Sequence, residues 1–133
     1  MLLQIDNYVS DYATVEYFAN YNVAFMSWRG EAHSEDYRKP LEFAMRLLNF
    51  NRGSSFILDM THCFYESPDD LQWTFETVLP AIFRSGCDRF IFITKDINDL
   101  NNNNDLWIEH AKRFFRVNVV HSFDYAIGAL SDY

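Results

Sequence analysis

Apolar and polar residues alternate along the first part of the chain, which is the pattern of strands with one buried face. Two such runs, residues 14–19 and 23–28, are rich in β-branched and aromatic residues. The triplet Asn20-Tyr21-Asn22 separates them, and asparagine tolerates a positive φ, so a hairpin turn is predicted there. A further strand at the edge of the sheet is predicted within residues 2–9.

The apolar residues then take up a helical spacing. The positions on one helical stripe are Tyr37, Leu41, Ala44, Met45 and Leu48. Ser34 is predicted to cap this helix, with the two acidic residues after it placed favourably toward the helix dipole. Pro40 lacks the backbone N–H that a helix interior uses. We therefore expect the helix either to begin near Lys39 or to be kinked in its first turn.

The remainder of the chain alternates between short apolar runs and helical patterns. The buried strands are predicted at residues 55–60, 89–94 and 117–121. Further helices are predicted to begin at Ser67, to span residues 106–115, and to begin at Ser122. The order predicts an α/β fold in a single domain, residues 1–133. A β-meander followed by βαβαβαβ forms a mixed sheet with helices packed on it and a short C-terminal helix.

Composition limits the classes of function. The 133 residues are 49% hydrophobic and 18% aromatic, which suffices to fill one core. The 19 acidic residues outnumber the 11 Lys and Arg, so the formal net charge is −8, and neither nucleic acid nor an anionic membrane is expected as a partner. No apolar run reaches the ~20 residues of a membrane span. Without a signal-peptide pattern, we expect a cytoplasmic protein with reduced cysteines.

Ligands of sheets with parallel strands bind beyond the carboxyl ends of those strands. In this chain the strand ends carry polar and aromatic residues at positions 28–30, 59–63, 94–96 and 121–122. We expect any functional site there. No phosphate-binding glycine loop is present, and Cys63 and Cys87 lack the paired spacing of metal ligands, so no metal or other cofactor is expected.

Four segments of the chain resemble the STAS family, the anti-sigma-factor antagonists, and especially their SpoIIAA-like relatives. These segments are residues 28–30, 34–37, 57–59 and 123–130, and the similarity extends over about residues 15–130. The resemblance implies a SpoIIAA-like fold and a non-enzymatic regulatory or protein-interaction module. Divergent relatives are also compared with lipid-carrying CRAL-TRIO domains, which implies an alternative: a carrier or sensor of a small apolar ligand.

STAS antagonists carry a strand that ends in Asp-Leu-Ser, followed by Asp-Ser-Ser-Gly at a helix start. A Ser or Thr there can be phosphorylated, which switches off binding to a partner kinase. Asp59-Met60-Thr61 is similar to the first motif and residues 64–67 are similar to the second. The resemblance therefore implies Ser67 and Thr61 as phosphate acceptors.

The chain departs from the family pattern at the second motif, where Glu66 replaces Asp and Pro68-Asp69 replaces Ser-Gly. The partner or ligand is expected to bind around this helix start. The residues of that surface are Asp59, His62, Glu66, Asp69, Trp73 and Lys95.

Other interpretations of the same residues stay open. Ser67 before Pro and two Asp is typical of a helix N-terminus, so its hydroxyl is expected to cap that helix. Asp59 and Thr94 are similar to a strand-end pair of response-regulator receivers. That metal pocket needs several early acidic residues, of which the chain offers only Asp6 near its start, and a lysine that the end of the last strand lacks. Asp59 is therefore expected to cap the following turn.

An enzyme would need His62, Cys63 and His33 to converge, but adjacent strand-end side chains point apart, so no catalytic residue is assigned. Trp73 and Trp107 fall off the apolar stripes of their helices, which favours a surface for a partner or ligand. A homodimer formed through a sheet edge or a helix pair is a further alternative.

Overall fold

The computed structural model describes residues 7–62, 67–95 and 104–131, with side chains from residue 106 onward in the last segment. The described residues form a six-stranded sheet whose strands follow chain order. The strands are β1 (Asn7–Val9), β2 (Ala13–Phe18), β3 (Val23–Trp28), β4 (Ser55–Asp59), β5 (Arg89–Ile93) and β6 (Arg116–Val120). The β1–β2 and β2–β3 pairs are antiparallel, and β3 to β6 are parallel. The predicted α/β architecture is confirmed.

Helices connect the parallel strands and follow the last one. They are α1 (Glu35–Phe50), α2 (Pro68–Trp73), α3 (Leu79–Arg84), α4 (Asn104–Ala111) and α5 (Phe123–Leu130), and a π-helical turn at Thr74–Val78 joins α2 to α3. The connecting helices return from the carboxyl edge of the sheet, where the parallel strands end, to the amino edge, where the next strand begins. Within the described ranges, no helix is long and apolar enough to cross a membrane.

The hairpin between β2 and β3 is the one that the asparagine triplet predicts. Asn22 has a φ of 52°, in the left-handed region that short polar residues adopt most readily. Phe18 pairs with Val23 and Ala13 with Trp28, so the turn closes at residues 19–22. Of the strand predicted within residues 2–9, residues 7–9 form β1, and the first six residues lie outside the described part of the chain.

Both faces of the central strands of the sheet are buried. The face toward α1, α3 and α4 holds the larger core, which includes Met26, Trp28, Phe56, Leu58, Phe90, Phe92 and Trp107. The opposite face packs against α5 through Val23, Ile57, Ile91, Ile93, Ala126 and Ala129. β4 and β5 are therefore covered on both sides, which explains why their sequences are continuous apolar runs rather than alternating ones.

Helix α1 contains Pro40 instead of starting after it. The missing N–H would have bonded the carbonyl of Asp36, an exposed residue of the first turn, so the helix loses one bond at a place open to water. Ser34 occupies the N-cap position, but its side chain makes no capping hydrogen bond, so the predicted role of its hydroxyl is wrong. Its φ of 55° and ψ of −122° lie outside the usual N-cap conformation.

Trp107 is fully buried, so its predicted place on a partner surface is wrong. Its ring packs against Phe90 and Phe92, with ring centroids 6.3 and 6.4 Å away. The prediction assumed a helix through residue 115, whereas α4 ends at Ala111 and a turn follows. The apolar residues Phe114 and Phe115 lie after the helix, so they should not have been used to predict which face of α4 is buried.

Candidate functional site

The end of β4 forms a turn held by Asp59. Its Oδ1 accepts hydrogen bonds from the backbone N–H of Thr61 at 2.9 Å and from the Thr61 hydroxyl at 2.8 Å. The prediction that Asp59 caps the following turn is confirmed. The Thr61 hydroxyl donates to a carboxylate, so a phosphate on that oxygen would lose this bond and face a like charge.

Ser67 is the N-cap of α2, as the sequence predicts. Its Oγ accepts a hydrogen bond from the backbone N–H of Asp70 at 3.2 Å, and its extended backbone is usual for an N-cap. The side chain is half-buried, and the neighbouring Asp69 is exposed. The candidate phosphate acceptor therefore lies in the first turn of a helix beside two carboxylates.

Asp70 connects the start of α2 to the start of α1. Its Oδ2 accepts a hydrogen bond from the backbone N–H of Ser34 at 3.1 Å, and its Oδ1 accepts one from Arg38 Nε at 3.3 Å. Asp70 is 2% exposed, so this is a buried carboxylate paired with a half-buried arginine. The sequence marks Asp70 only as one of two acidic residues at the start of this helix. The Ser-x-x-Asp spacing is similar to a capping box, which predicts a contact with the backbone N–H of Ser67, whereas the observed partner is the N–H of Ser34.

Trp73 lies at the rim of the carboxyl edge, half-buried in a series of aromatic contacts. The Arg38 guanidinium lies 5.0 Å from the centre of the Trp73 ring, within cation–π range. Tyr37 meets Trp73 edge-on at 6.3 Å and stacks on Trp28 at 5.1 Å with an interplanar angle of 3°. The Tyr37 and Thr74 hydroxyls are hydrogen-bonded at 2.6 Å. A half-buried tryptophan is thus held rigidly by neighbours that reach into the core.

The π-helical turn begins directly after Trp73. The backbone N–H of Leu79 donates to the carbonyl of Thr74, five residues earlier. Pro80 has no N–H to offer to Glu76, so the regular helical ladder is broken at this point and a wider turn is tolerated. Single π-helical turns are frequent at functional sites, which supports a functional role for the surface formed by α2.

Two buried polar atoms have no hydrogen-bond partner among the described residues. They are Trp28 Nε1 and Thr94 Oγ1, in side chains that are 1% and 2% exposed. In the sheet, Asp59 lies between Ser27 of β3 and Ile93 of β5. The next residues along the three strands are Trp28, Met60 and Thr94, which therefore lie side by side at the carboxyl edge. Leaving such groups unpaired costs about 1–3 kcal/mol each.

Among the remaining predicted site residues, His62 and Lys95 follow the ends of β4 and β5 at this edge. His62 and Lys95 are exposed, and Glu66 and Cys63 lie outside the described residues. His33 is also exposed and lies 3.9 Å from Glu31. The described residues thus bring together Asp59 with Thr61, and Ser67 with Asp70.

The described residues hold no cluster of three or more His, Cys, Asp or Glu side chains placed to bind a metal ion. Cys87 is buried at the amino edge. Burial, with a smaller contribution from the charge of Asp88, raises the pKa of its thiol to about 12. This cysteine is therefore neutral and a poor nucleophile at physiological pH.

No protein-family model matches this chain, and no curated protein sequence matches it. Family membership therefore stays a resemblance of short motifs, and function has to be argued from the site itself.

Proposed function

We propose that this protein is a non-enzymatic regulatory module of the cytoplasm that binds a partner protein at the start of α2. The observation that carries the proposal is the placement of Ser67 and Asp70. Ser67 has its hydroxyl at the N-terminus of α2. Asp70, three residues later, accepts hydrogen bonds from Ser34 and Arg38 of the α1 start. A change at Ser67 is therefore next to the contact that joins the two helices.

Phosphorylation of Ser67 would act on this contact through charge. A phosphate carries close to two negative charges at neutral pH, which the helix N-terminus stabilises but the carboxylates of Asp69 and Asp70 repel. The repulsion weakens the bonds from Asp70 to Ser34 and Arg38. The expected result is a loosened junction between α1 and α2, and with it a changed partner surface.

The surface around this junction is acidic and carries an aromatic residue. Glu35, Asp36 and Asp69 are exposed, and Trp73 is half-buried beside Arg38. Half-exposed aromatic rings are enriched at protein interfaces, and an acidic rim favours a partner with a basic patch. We therefore place Trp73 near the centre of the interface.

Photo-cross-linking in the cells that produce the protein tests the location of the surface. A photoreactive residue at position 73 is compared with one at position 125, where Tyr125 is 71% exposed on a different helix. We expect a discrete cross-linked partner from position 73 only. Identical products from both positions, or none from position 73, would overturn the proposal.

The switch is tested in the same cross-linking experiment with Ser67→Asp. Aspartate remains a good N-cap, so the variant changes charge while keeping the helix start. Ser122→Asp is the matched control, because Ser122 caps α5 through the backbone N–H of Tyr125 at the same 3.2 Å distance. We expect the cross-link at position 73 to be lost with Ser67→Asp and kept with Ser122→Asp. A cross-link that both variants keep would contradict the switch.

A carrier of a small, mostly apolar ligand is the second candidate. It is favoured by Trp28 Nε1 and Thr94 Oγ1, which are buried without a described hydrogen-bond partner. A ligand with a hydrogen-bonding group would satisfy such atoms. Native mass spectrometry of protein purified from its own cells, run intact and then denatured, supports this candidate if a small molecule is retained in the native spectrum. An unliganded mass would contradict it, and a dimer mass would favour self-association.

A further inference from the structure

Three arginines lie near one another at the amino edge of the sheet, away from the surface formed by α2. Arg46 of α1 and Arg84 of α3 line an open groove of about 270 Å³ between the two helices, together with Met45, Asn49 and Ala81. Arg52, in the turn after α1, reaches across the ends of both helices. It donates from Nη1 to Asn49 Oδ1 at 3.0 Å and from Nη2 to the carbonyl of Arg84 at 2.8 Å.

These arginines are not neutralised within the described part of the protein. Arg38 and Arg116 form ion pairs with Asp70 and Asp88, whereas Arg46, Arg52 and Arg84 pair with no described carboxylate. In a chain whose 19 acidic residues outnumber its 11 Lys and Arg, unpaired cations on one groove are unexpected.

Helix capping explains only part of the arrangement. Cations are favoured at helix C-termini, and Arg52 caps a terminal carbonyl of α3 directly. The Arg46 guanidinium lies 6.0 Å from the ring centre of Phe43, at the outer limit of a cation–π contact, and no described group accepts a hydrogen bond from Arg84. The donors of both side chains are therefore available to a ligand in the groove.

We propose that the groove between α1 and α3 binds a phosphate group. Guanidinium groups bind phosphate oxygens with paired, charge-assisted hydrogen bonds, and the amide nitrogen of Asn49 can add a neutral donor. The net charge of −8 does not prevent this, because charges more than about 10 Å away are largely screened at physiological ionic strength. The phosphate belongs either to a free phosphate compound or to a lipid headgroup.

Calorimetric titration at physiological ionic strength with inorganic phosphate and with pyrophosphate tests the site. The variant is Arg46→Gln/Arg84→Gln, and the matched control is Lys112→Gln/Arg113→Gln, which removes the same charge after α4 and outside the groove. We expect saturable binding that weakens by about tenfold or more in the groove variant and by about twofold or less in the control. Melting curves establish that both variants fold.

Sedimentation with phosphatidylcholine vesicles that contain phosphatidic acid separates the two sources. Saturable titration by pyrophosphate indicates a free phosphate compound, and binding to these vesicles alone, lost in the groove variant, indicates a lipid headgroup. Absence of binding to all probes, or equal loss in both variants, would overturn the proposal.

Discussion

The carboxylate of Asp70 accepts a hydrogen bond from the backbone N–H of Ser34, 36 residues earlier in the chain, at a distance of 3.1 Å. Arg38 Nε bonds the other carboxylate oxygen. Asp70 thus attaches the start of α1 to α2 through the backbone of its N-cap residue and through Arg38.

Removal of this carboxylate should destabilise the fold. Asp70→Ala leaves the Ser34 N–H and the Arg38 guanidinium without their acceptor, and we expect the free energy of unfolding to fall by about 2 kcal/mol. Urea denaturation with an unchanged m-value measures the effect. Asp69→Ala, at the exposed neighbouring residue, is the control and should change stability by about 0.5 kcal/mol or less. Equal midpoints for the two variants would refute the role assigned to Asp70.

Loss of the hydroxyl should change protein stability in opposite directions at two buried threonines, Thr94 and Thr74. Thr94 Oγ1 has no described partner, so Thr94→Val should be neutral or stabilise the protein by up to about 1 kcal/mol. Thr74 Oγ1 bonds both the Tyr37 hydroxyl and the carbonyl of Asp70, so Thr74→Val should cost about 1–2 kcal/mol. Thermal unfolding of both variants measures the difference. A comparable loss for Thr94→Val would mean that its hydroxyl is paired in solution, to a water molecule or a ligand.

Cys87 should make the free energy of unfolding depend on pH in the alkaline range. Burial raises the pKa of its thiol from 9.0 to about 12, so between these values the unfolded chain releases the proton while the folded protein keeps it. The resulting stability is fully present below pH 9.0 and is lost as the pH rises, by at most about 1.4 kcal/mol per pH unit. Above pH 9.0 the unfolding free energy of Cys87→Ala should therefore decline less steeply than that of the wild type. Parallel curves would contradict the assignment.

The turns after α1 and α3 depend on two glycines with positive φ. Gly86 has a φ of +91°, and a Cβ there would lie 3.2 Å from the backbone nitrogen of Gly53. Gly53 has a φ of +85° but open space around it. We expect Gly53→Ala to cost about 1 kcal/mol from backbone strain alone, and Gly86→Ala to cost about 1 kcal/mol more because of the close contact. Chemical denaturation measures the loss of stability in each variant. A loss at Gly86→Ala no larger than at Gly53→Ala would show that the two turns can move apart to make room for the Cβ.

The candidate site was predictable where the signal is local. Ser67 and Asp59 cap their own turns through residues two or three positions away, so residue type and spacing suffice to predict the contact. The role of Asp70 depends on Ser34, and the burial of Trp107 depends on Phe90 and Phe92. Such contacts join distant parts of the chain, and periodicity within one segment cannot predict them.

The sequence by itself determined the order of strands and helices and the mixed α/β sheet, because apolar spacing and turn residues act within a few positions of the chain. Only the tertiary structure decided which carboxylate joins α1 to α2, which tryptophan is buried, and which polar atoms are left unpaired. It also brought Arg46 and Arg84 to one groove, with Arg52 bonded to the carbonyl of Arg84 beside it. The physical reason is that these properties depend on how separate elements pack, and packing places side chains side by side whatever their separation along the chain.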